Sequence, residues 1–470
     1  VAQEVKTAAT THATPAFGRV ESIPMAHRRM SNWDLFATWI GANANNGTWY
    51  IGGVIAACGF VTASTTLVIV GLISYALLAV ASYMGYRTGV PAMALTRASF
   101  GLRGSFIPSA INVIQFIGWA AVNTFIAATS ISYIFGELFG WPLYGKPGGT
   151  FGLIVGILIM SVLHLLSISL GEKSVRLIER IGIILVVVFV LWESVVVFQT
   201  VSFHEILAWR APANLRMSSG VAADTLAAFN LAWVTAASDF SRFTAKKSAA
   251  TTASFLGANF GLFWFAFIGL FATIGTAVSL NHFDPNNSDP STVAAKLGLG
   301  VIALLVIVLT STTANAVNLM SAGSALTNMT HRLSLNVSLW IVTITATLVT
   351  FIPVYLASFL DVFETFLDGI GMFLGPEIAI FLVDYFFLKG KQYRLPELTK
   401  VRGAYWYSHG INWVAVASWV LGVVAYWGLK QVAVIATTVG ATFIAMVITA
   451  VIYWIGMRVT REKTVAPAVK

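Results

Sequence analysis

Apolar segments long enough to cross about 30 Å of hydrocarbon recur along this whole chain. They lie near residues 33–58, 64–86, 105–136, 150–170, 178–202, 221–240, 252–280, 297–322, 334–358, 363–388, 410–429 and 431–457. The pattern predicts twelve transmembrane helices joined by short connections. That is an all-α integral membrane protein with one transmembrane domain over 33–458 and polar tails at 1–32 and 459–470. Residues 1–32 lack the apolar core of a secretory signal and read as a tail. The longer loops fall at Gly136–Gly149, Ser202–Gly220 and Leu280–Pro290. The last carries His282, Asp284, Asn286, Asn287, Asp289 and two prolines. It reads as a turn-rich solvated loop, with a metal site as the alternative.

Two spans break the apolar pattern at mid-membrane. The first contains Gly41-Ala-Asn-Ala-Asn-Asn-Gly-Thr48, where a lipid-facing helix would carry Leu, Ile or Phe. Backbone that leaves helical geometry at that depth is tolerated only where it lines a cavity or is buried in protein. In transporters built on broken helices, such an interrupted span marks the binding site. The sixth span reads Ala227-Ala-Phe-Asn-Leu-Ala-Trp-Val-Thr-Ala-Ala-Ser-Asp239, with Asn230, Thr235 and Ser238 in place of hydrocarbon. Spans one and six head two consecutive five-span blocks, about 33–202 and 221–388. The last two spans, about 410–457, are an appendage. The pattern implies movement of a small solute across a membrane.

Composition narrows the class. The chain has 470 residues, of which 57% are hydrophobic and 10% charged, against about 25% charged in soluble domains. The formal net charge of +9 invites a nucleic-acid reading, but its distribution argues otherwise. Basic residues cluster in alternate loops: Arg28 and Arg29; Arg87, Arg97 and Arg103; Lys173, Arg176 and Arg180; Arg242, Lys246 and Lys247. The series continues with Arg332, Lys389 to Arg402, Arg458, Arg461 and Lys463. The opposite loops hold Lys146, Arg210, Arg216, Lys296 and Lys430, five of the 28 Lys and Arg. This positive-inside asymmetry predicts both termini in the cytoplasm, as in a bacterial inner-membrane protein, and no nucleic-acid partner.

Several side chains at membrane depth carry chemistry. Trp119 and Asn123 lie four residues apart on one helical face. An indole face with an amide one turn on suits a flat heteroaromatic ring, through stacking and edge hydrogen bonds. The alternative is a lipid-facing Trp with an interhelical Asn bond. Span eight carries Thr310-Ser-Thr-Thr-Ala-Asn-Ala-Val-Asn318. Its hydroxyls could bond back to their own helix. Thr312 and Thr313 could instead face carbonyls released by an unwound first span, as hard oxygen ligands for a monovalent cation. Asn315 and Asn318 could reach a polar ligand.

Among the acids, Asp239 beside Arg242 and Asp384 beside Lys389 read as anchors at helix ends. Glu377, two turns deeper, is a proton carrier, a contact for a cationic ligand or a structural group paired with backbone. Cys58 reads as a small buried hydrophobe, and His164 stands isolated. No phosphate-binding loop, metal-ligand spacing or paired nucleophile and base appears, so neither an ATP-driven pump nor an enzyme is expected. A channel is the alternative within transport.

The segment Arg97-Ala-Ser-Phe-Gly-Leu-Arg-Gly-Ser-Phe-Ile-Pro108 before span three resembles the signature of nucleobase–cation symporters, the purine–cytosine permease, allantoin and hydantoin group. Asp239-Phe-Ser-Arg-Phe243, Gly375-Pro376 with Asp384-Tyr385, and Gly410-Ile-Asn-Trp413 are similar too, in consistent order from about residue 30 to 460. The resemblance implies the leucine-transporter-like fold, a five-plus-five inverted repeat with two extra helices. It also implies cation-coupled uptake of a purine or pyrimidine nucleobase by alternating access; relatives that carry vitamin B6, thiamine precursors, hydantoin or allantoin leave those ligands open. Trp119 matches the ring that stacks on substrate, and Asn123, Asn45 and Asn318 match polar contacts. Thr312 and Thr313 match the sodium hydroxyl pair, and Gly41, Ala44 and Leu309 match its carbonyl donors. No cofactor is implied beyond a coupling cation, Na⁺ or H⁺. Glu377 keeps the proton open.

One position departs from the family. The aromatic residue that closes the substrate sandwich on span six, nine residues before Asp239, is Asn230 here. Phe229 or Trp233 is expected to supply the second face. The expected partners are a small heterocycle and the lipid bilayer, and the expected state is a monomer.

Overall fold

The computed structural model describes residues 20, 22–170, 172–330, 332–356 and 358–464. Most of the two expected tails lies outside them, as do the side chains of Lys173, Arg176, Arg180, Arg461 and Lys463. Among the described residues regular structure is helical, apart from one isolated bridge between Ser408 and Ile411. Ten helices among the described residues are long and apolar enough to cross a membrane. The remaining two expected spans are the first, which is broken, and the fifth, whose described apolar part is the shorter Val187–Thr200.

The first span is two helices, α1 (Asn32–Asn43) and α2 (Asn46–Ile55). A reciprocal cap starts α1: Ser31 Oγ accepts from Asp34 N, and the Asp34 carboxylate accepts from Ser31 N at 2.7 Å. This satisfies two of the free N–H groups at a helix start. There follow α3 (Phe60–Thr88), α4 (Phe106–Phe139), α5 (Thr150–Leu170) and α6 (Glu172–Thr200). The sixth span is again two pieces, α7 (Ser219–Val234) and α8 (Ala237–Ser241). Beyond it run α9 (Ser254–Ser279), α10 (Gly300–Met329), α11 (Leu335–Thr350), α12 (Phe359–Val383), α13 (Trp413–Lys430) and α14 (Thr442–Thr464).

Most boundaries fall within a few residues of the apolar pattern, and two differ for identifiable reasons. The last span was expected from 431 but begins at Thr442. Residues Ala433–Thr438 form a separate short helix, because Gly440 takes φ +78° and the Ala441 and Thr442 N–H groups bond to the Asp224 carboxylate. The Ser202–Gly220 and Leu280–Pro290 loops contain capped turns rather than open coil. Ser202 and Glu205 cap Phe203–Ala208, and Asp284 and Asp289 cap the turns that follow them. Among the described residues no three His, Cys, Asp or Glu side chains gather as a metal site would require.

Both halves of span one lie directly against α9. A Cβ on Gly269 would sit 1.9 Å from the Trp49 carbonyl oxygen, and one on Gly257 2.4 Å from that of Phe36. Membrane helices have no hydrophobic drive to associate, so close backbone approach through small residues takes its place. Two of the sequence stretches similar to the family meet at the lead-in to α4. Gly410 O accepts from Arg103 N and Gly104 N at 2.8 and 3.1 Å, and Asn412 Nδ2 donates to Ser99 O at 2.7 Å. Arg97 is fully buried with its guanidinium on Asn328 Oδ1 at 2.9 Å. The motif residues thus pin the lead-in to α4, the helix that carries Trp119.

Candidate functional site

The break in span one is made by its asparagines. Ala44 (φ −84°, ψ 69°) and Asn45 (φ −142°, ψ 171°) leave helical geometry. Asn45 Oδ1 accepts from Thr48 N at 3.1 Å and its Nδ2 donates to Ala42 O at 2.7 Å, so one side chain serves both sides of the break. The next residue reaches across the bundle. Asn46 Nδ2 lies 3.0 Å from Ile307 O, 2.8 Å from Thr310 Oγ1 and 3.0 Å from Ser311 Oγ, all on α10.

The break in span six is shallower. Thr235 (φ −72°, ψ −9°) and Ala236 (φ −114°, ψ 2°) are displaced from the helix without becoming extended. It is braced from α4: Gln115 Nε2 donates to Thr235 Oγ1 at 2.9 Å, and Asn112 Nδ2 to Thr235 O at 3.4 Å. Tyr75 ties the two regions together, its one hydroxyl lying within hydrogen-bond distance of both Asn43 Oδ1 and Asn230 Oδ1.

Between the breaks is a small cavity lined by Asn45, Phe116, Trp119, Asn123, Phe229, Ala232, Trp233 and Asn318. Trp119 Nε1 and Asn123 Oδ1 are buried with no hydrogen-bond partner. A donor and an acceptor left open beside one cavity are what a polar guest would satisfy, since unpaired buried groups are costly. Asn123 is oriented by its own Nδ2, which donates to Trp119 O at 3.1 Å.

The structure brings six of the seven expected substrate residues to this cavity and leaves one out. Phe229 and Trp233, four residues apart on α7, face it. Asn230 does not line it, because one residue along a helix turns the side chain by about 100°, here onto Tyr75. The planes of Trp119 and Phe229 are at 90° with centroids 5.1 Å apart. A flat guest stacked on Trp119 therefore meets Phe229 edge-on, and the face-to-face sandwich through Phe229 does not form in this arrangement. Phe116 and Ala232 were not singled out from the sequence. Phe116 is recoverable as the residue three before Trp119 on the same face, whereas nothing in the pattern marks Ala232.

The expected cation residues have fixed surroundings. Thr312 is buried with Oγ1 donating to Val308 O at 2.9 Å, and Thr313 Oγ1 donates to Thr310 O at 2.8 Å. Each hydroxyl keeps its lone pairs available. Ala44 closes α1 and Gly41 lies within its last turn, while the Leu309 side chain points outward, 46% exposed. Asn315, considered a ligand contact, is instead committed to Ala120 O, Thr124 Oγ1 and His164 Nε2 at 3.0, 3.0 and 3.2 Å. His164 is thus not isolated.

Of the acids, Asp384 is an anchor as expected, accepting from Tyr393 and Tyr453 at 2.7 Å each and pairing with Lys389 at 3.3 Å. Asp239 anchors differently, accepting from the backbone N–H of Ala92 at 2.8 Å. Both carboxylate oxygens of Glu377 are buried without partners.

Comparison with known proteins agrees with this architecture. A family profile described as "Permease for cytosine/purines, uracil, thiamine, allantoin" matches residues 22–456. A putative purine-cytosine permease of Bacillus subtilis, YxlA, is 27% identical over 423 residues, 86% of each chain. The allantoin permease of the same organism is 26% identical over 412 residues, 82% of this chain and 81% of its own. The solved structure of Mhp1, a nucleobase-cation-symport-1 family transporter in a closed conformation with bromovinylhydantoin bound, superposes with a TM-score of 0.75 at 19% identity. It covers 94% of this chain and 95% of that one. Its fold is therefore this fold, the leucine-transporter-like arrangement with broken first and sixth spans. With the profile matched along nearly its full length, the chain belongs to the family of permeases for cytosine and purines, uracil, thiamine and allantoin.

Proposed function

We propose that this permease is a cation-coupled carrier that takes up a small planar nitrogen heterocycle, a nucleobase being the first choice, by alternating access. The observation that carries this reading is the cavity between the two breaks. It combines one indole face, Trp119, with the open acceptor Asn123 Oδ1 and with the amide of Asn318. Ring stacking accepts any flat heterocycle, so the amides choose among them. The names of the relatives, purine-cytosine and allantoin permeases, support this class. Ligand held by Asn45, Trp119, Asn123 and Asn318, with Phe229 and Trp233 as walls, favours rocking of one helix group against the other. The ligand leaves chemically unchanged. Both termini are cytoplasmic, in a bacterial inner membrane, and the working unit is a monomer.

The coupling cation we favour is sodium, held by the hydroxyls of Thr312 and Thr313 and the carbonyls of Gly41, Ala44 and Leu309. One monovalent cation moving down about 100 mV supplies roughly 2.3 kcal/mol, or about 50-fold accumulation, adequate for scavenging. The test is uptake of radiolabelled hypoxanthine, uracil, allantoin, hydantoin, thiamine and pyridoxine into proteoliposomes, with and without sodium at fixed pH. Saturable uptake and counterflow of at least one is expected, and flux that never saturates would indicate a channel. The Thr312→Ala/Thr313→Ala variant is expected to lose sodium stimulation; if stimulation persists, the cation lies elsewhere.

A further inference from the structure

One buried acid outside the cavity touches the broken span. Glu193, on α6, is fully buried; its Oε2 accepts from the indole Nε1 of Trp49 at 2.6 Å, and its Oε1 has no partner. Trp49 lies in the first turn of α2, and its backbone N–H bonds to the carbonyl of Asn45, a cavity residue, at 3.1 Å. Trp49 is also clamped from behind, since its own carbonyl lies where a Cβ on Gly269 would be. The Trp49 backbone is therefore packed directly against α9 where its indole meets Glu193.

Charge around this acid is sparse. Helices α9 and α10, packed along α6, carry no titratable side chain. Helix α5 contributes His164, which is engaged with Asn315. Helix α2 contributes Tyr50, stacked on Phe359. Asp289 caps its own helix through Thr292 N. On α6 itself the nearest charged residue is Arg180, 13 positions away, or about 20 Å of helix. No ion pair reaches Glu193 among the described residues.

A carboxylate in that setting has one donor for two oxygens and no counter-charge, whereas a neutral acid is far less costly to bury. The closed contact therefore accepts Glu193 in its protonated form. Ionisation becomes affordable only once water replaces the indole, and α2 is a half-helix of the kind that moves against its neighbours in alternating access. We propose that Glu193 is a proton site of the transport cycle, loaded and unloaded as the Trp49 contact closes and opens. The proton comes from bulk water on the side to which the acid opens and leaves to water on the other. Only an O–H bond forms and breaks, and each cycle adds one positive charge to whatever else moves. The proposal rests on the carrier reading above and names a coupling ion for it, beside any cation at Thr312 and Thr313.

Two measurements test it. In proteoliposomes with labelled hypoxanthine, the wild type is expected to accumulate ligand under an acid-outside pH gradient without sodium. Glu193→Gln keeps the acceptor for Trp49. It is expected to retain equal-pH exchange within about twofold while losing gradient-driven accumulation by about tenfold or more, a large part of what one ion supplies at about 100 mV. Accumulation that survives in Glu193→Gln, or a wild type that exchanges but ignores the pH gradient, overturns the proton site and leaves the carrier intact. If hypoxanthine is not exchanged at all, the proposed ligand class fails on its own, and a ligand-free reading still decides the proton. In protein labelled with 5-fluorotryptophan, the Trp49 resonance, assigned with Trp49→Phe, is expected to shift as pH is varied and to be flat in Glu193→Gln. A flat wild-type resonance overturns the proposal.

Discussion

The two broken spans solve the same problem in opposite ways. In span one the break is deep, with a fully extended residue, and its own asparagines close it: Asn45 caps both sides and Asn46 reaches α10. In span six the chain bends without becoming extended, and the freed groups at Thr235 are met from outside by Gln115 and Asn112 of α4. The difference teaches that a membrane helix can be interrupted either by carrying its own caps or by borrowing a neighbour's amides. Only the first is written locally in the sequence. It also separates the halves by function, because α4, which braces span six, is the helix that presents Trp119 and Asn123 to the guest.

Five substitutions would break or sharpen that contrast. Trp119→Ala, which removes the face both breaks look onto, is expected to cost the largest share of ligand affinity, about 1–3 kcal/mol. Isothermal titration with the best ligand of the uptake panel measures it, and unchanged affinity would defeat the stacking assignment. Gly269→Ala and Gly85→Ala test the packing of each broken span. The first would drive a Cβ into the Trp49 carbonyl, the second into Ser241 Oγ and the backbone of Ser238. Each is expected to lose about 1–3 kcal/mol of stability in detergent unfolding. A neutral result at either glycine would mean that its half-helix is free to slide.

Asn45→Ala removes a self-made cap and is expected to cost about 0.5–2 kcal/mol, with faster hydrogen exchange confined to the first turn of α2. Thr235→Val removes one borrowed bond and is expected to cost about 0.6 kcal/mol, the average found for such bonds in membrane interiors. Should Thr235→Val prove as damaging as Asn45→Ala, the contrast between self-capped and borrowed breaks would not stand.

The two buried acids make a related contrast. Glu193 and Glu377 lie on the fifth and tenth spans, the last helices of the two expected five-span blocks. Glu193 touches a half-helix through Trp49, whereas Glu377 has no hydrogen-bond partner. Glu377 stands out in the sequence as an acid two turns deeper in span ten than Asp384, while Glu193 sits in a run of Val, Phe and Trp that reads as ordinary hydrocarbon. Only the arrival of Trp49, 144 positions earlier in the chain, makes it conspicuous.

What the chain determined by itself is the membrane class, the order of the spans and the place of the first break, because apolar length and the capping chemistry of asparagine act within a few residues. The face of α4 that carries Trp119 and Asn123 belongs to the same group, since helical periodicity sets it. Tertiary structure alone decided that Phe229 and Trp233 face the cavity while Asn230 turns to Tyr75. It also decided that Asn315 serves His164 rather than a ligand, and that Trp119 and Phe229 stand perpendicular. Each of these depends on which helix passes at which angle, and side chains hundreds of residues apart fix that angle through close packing.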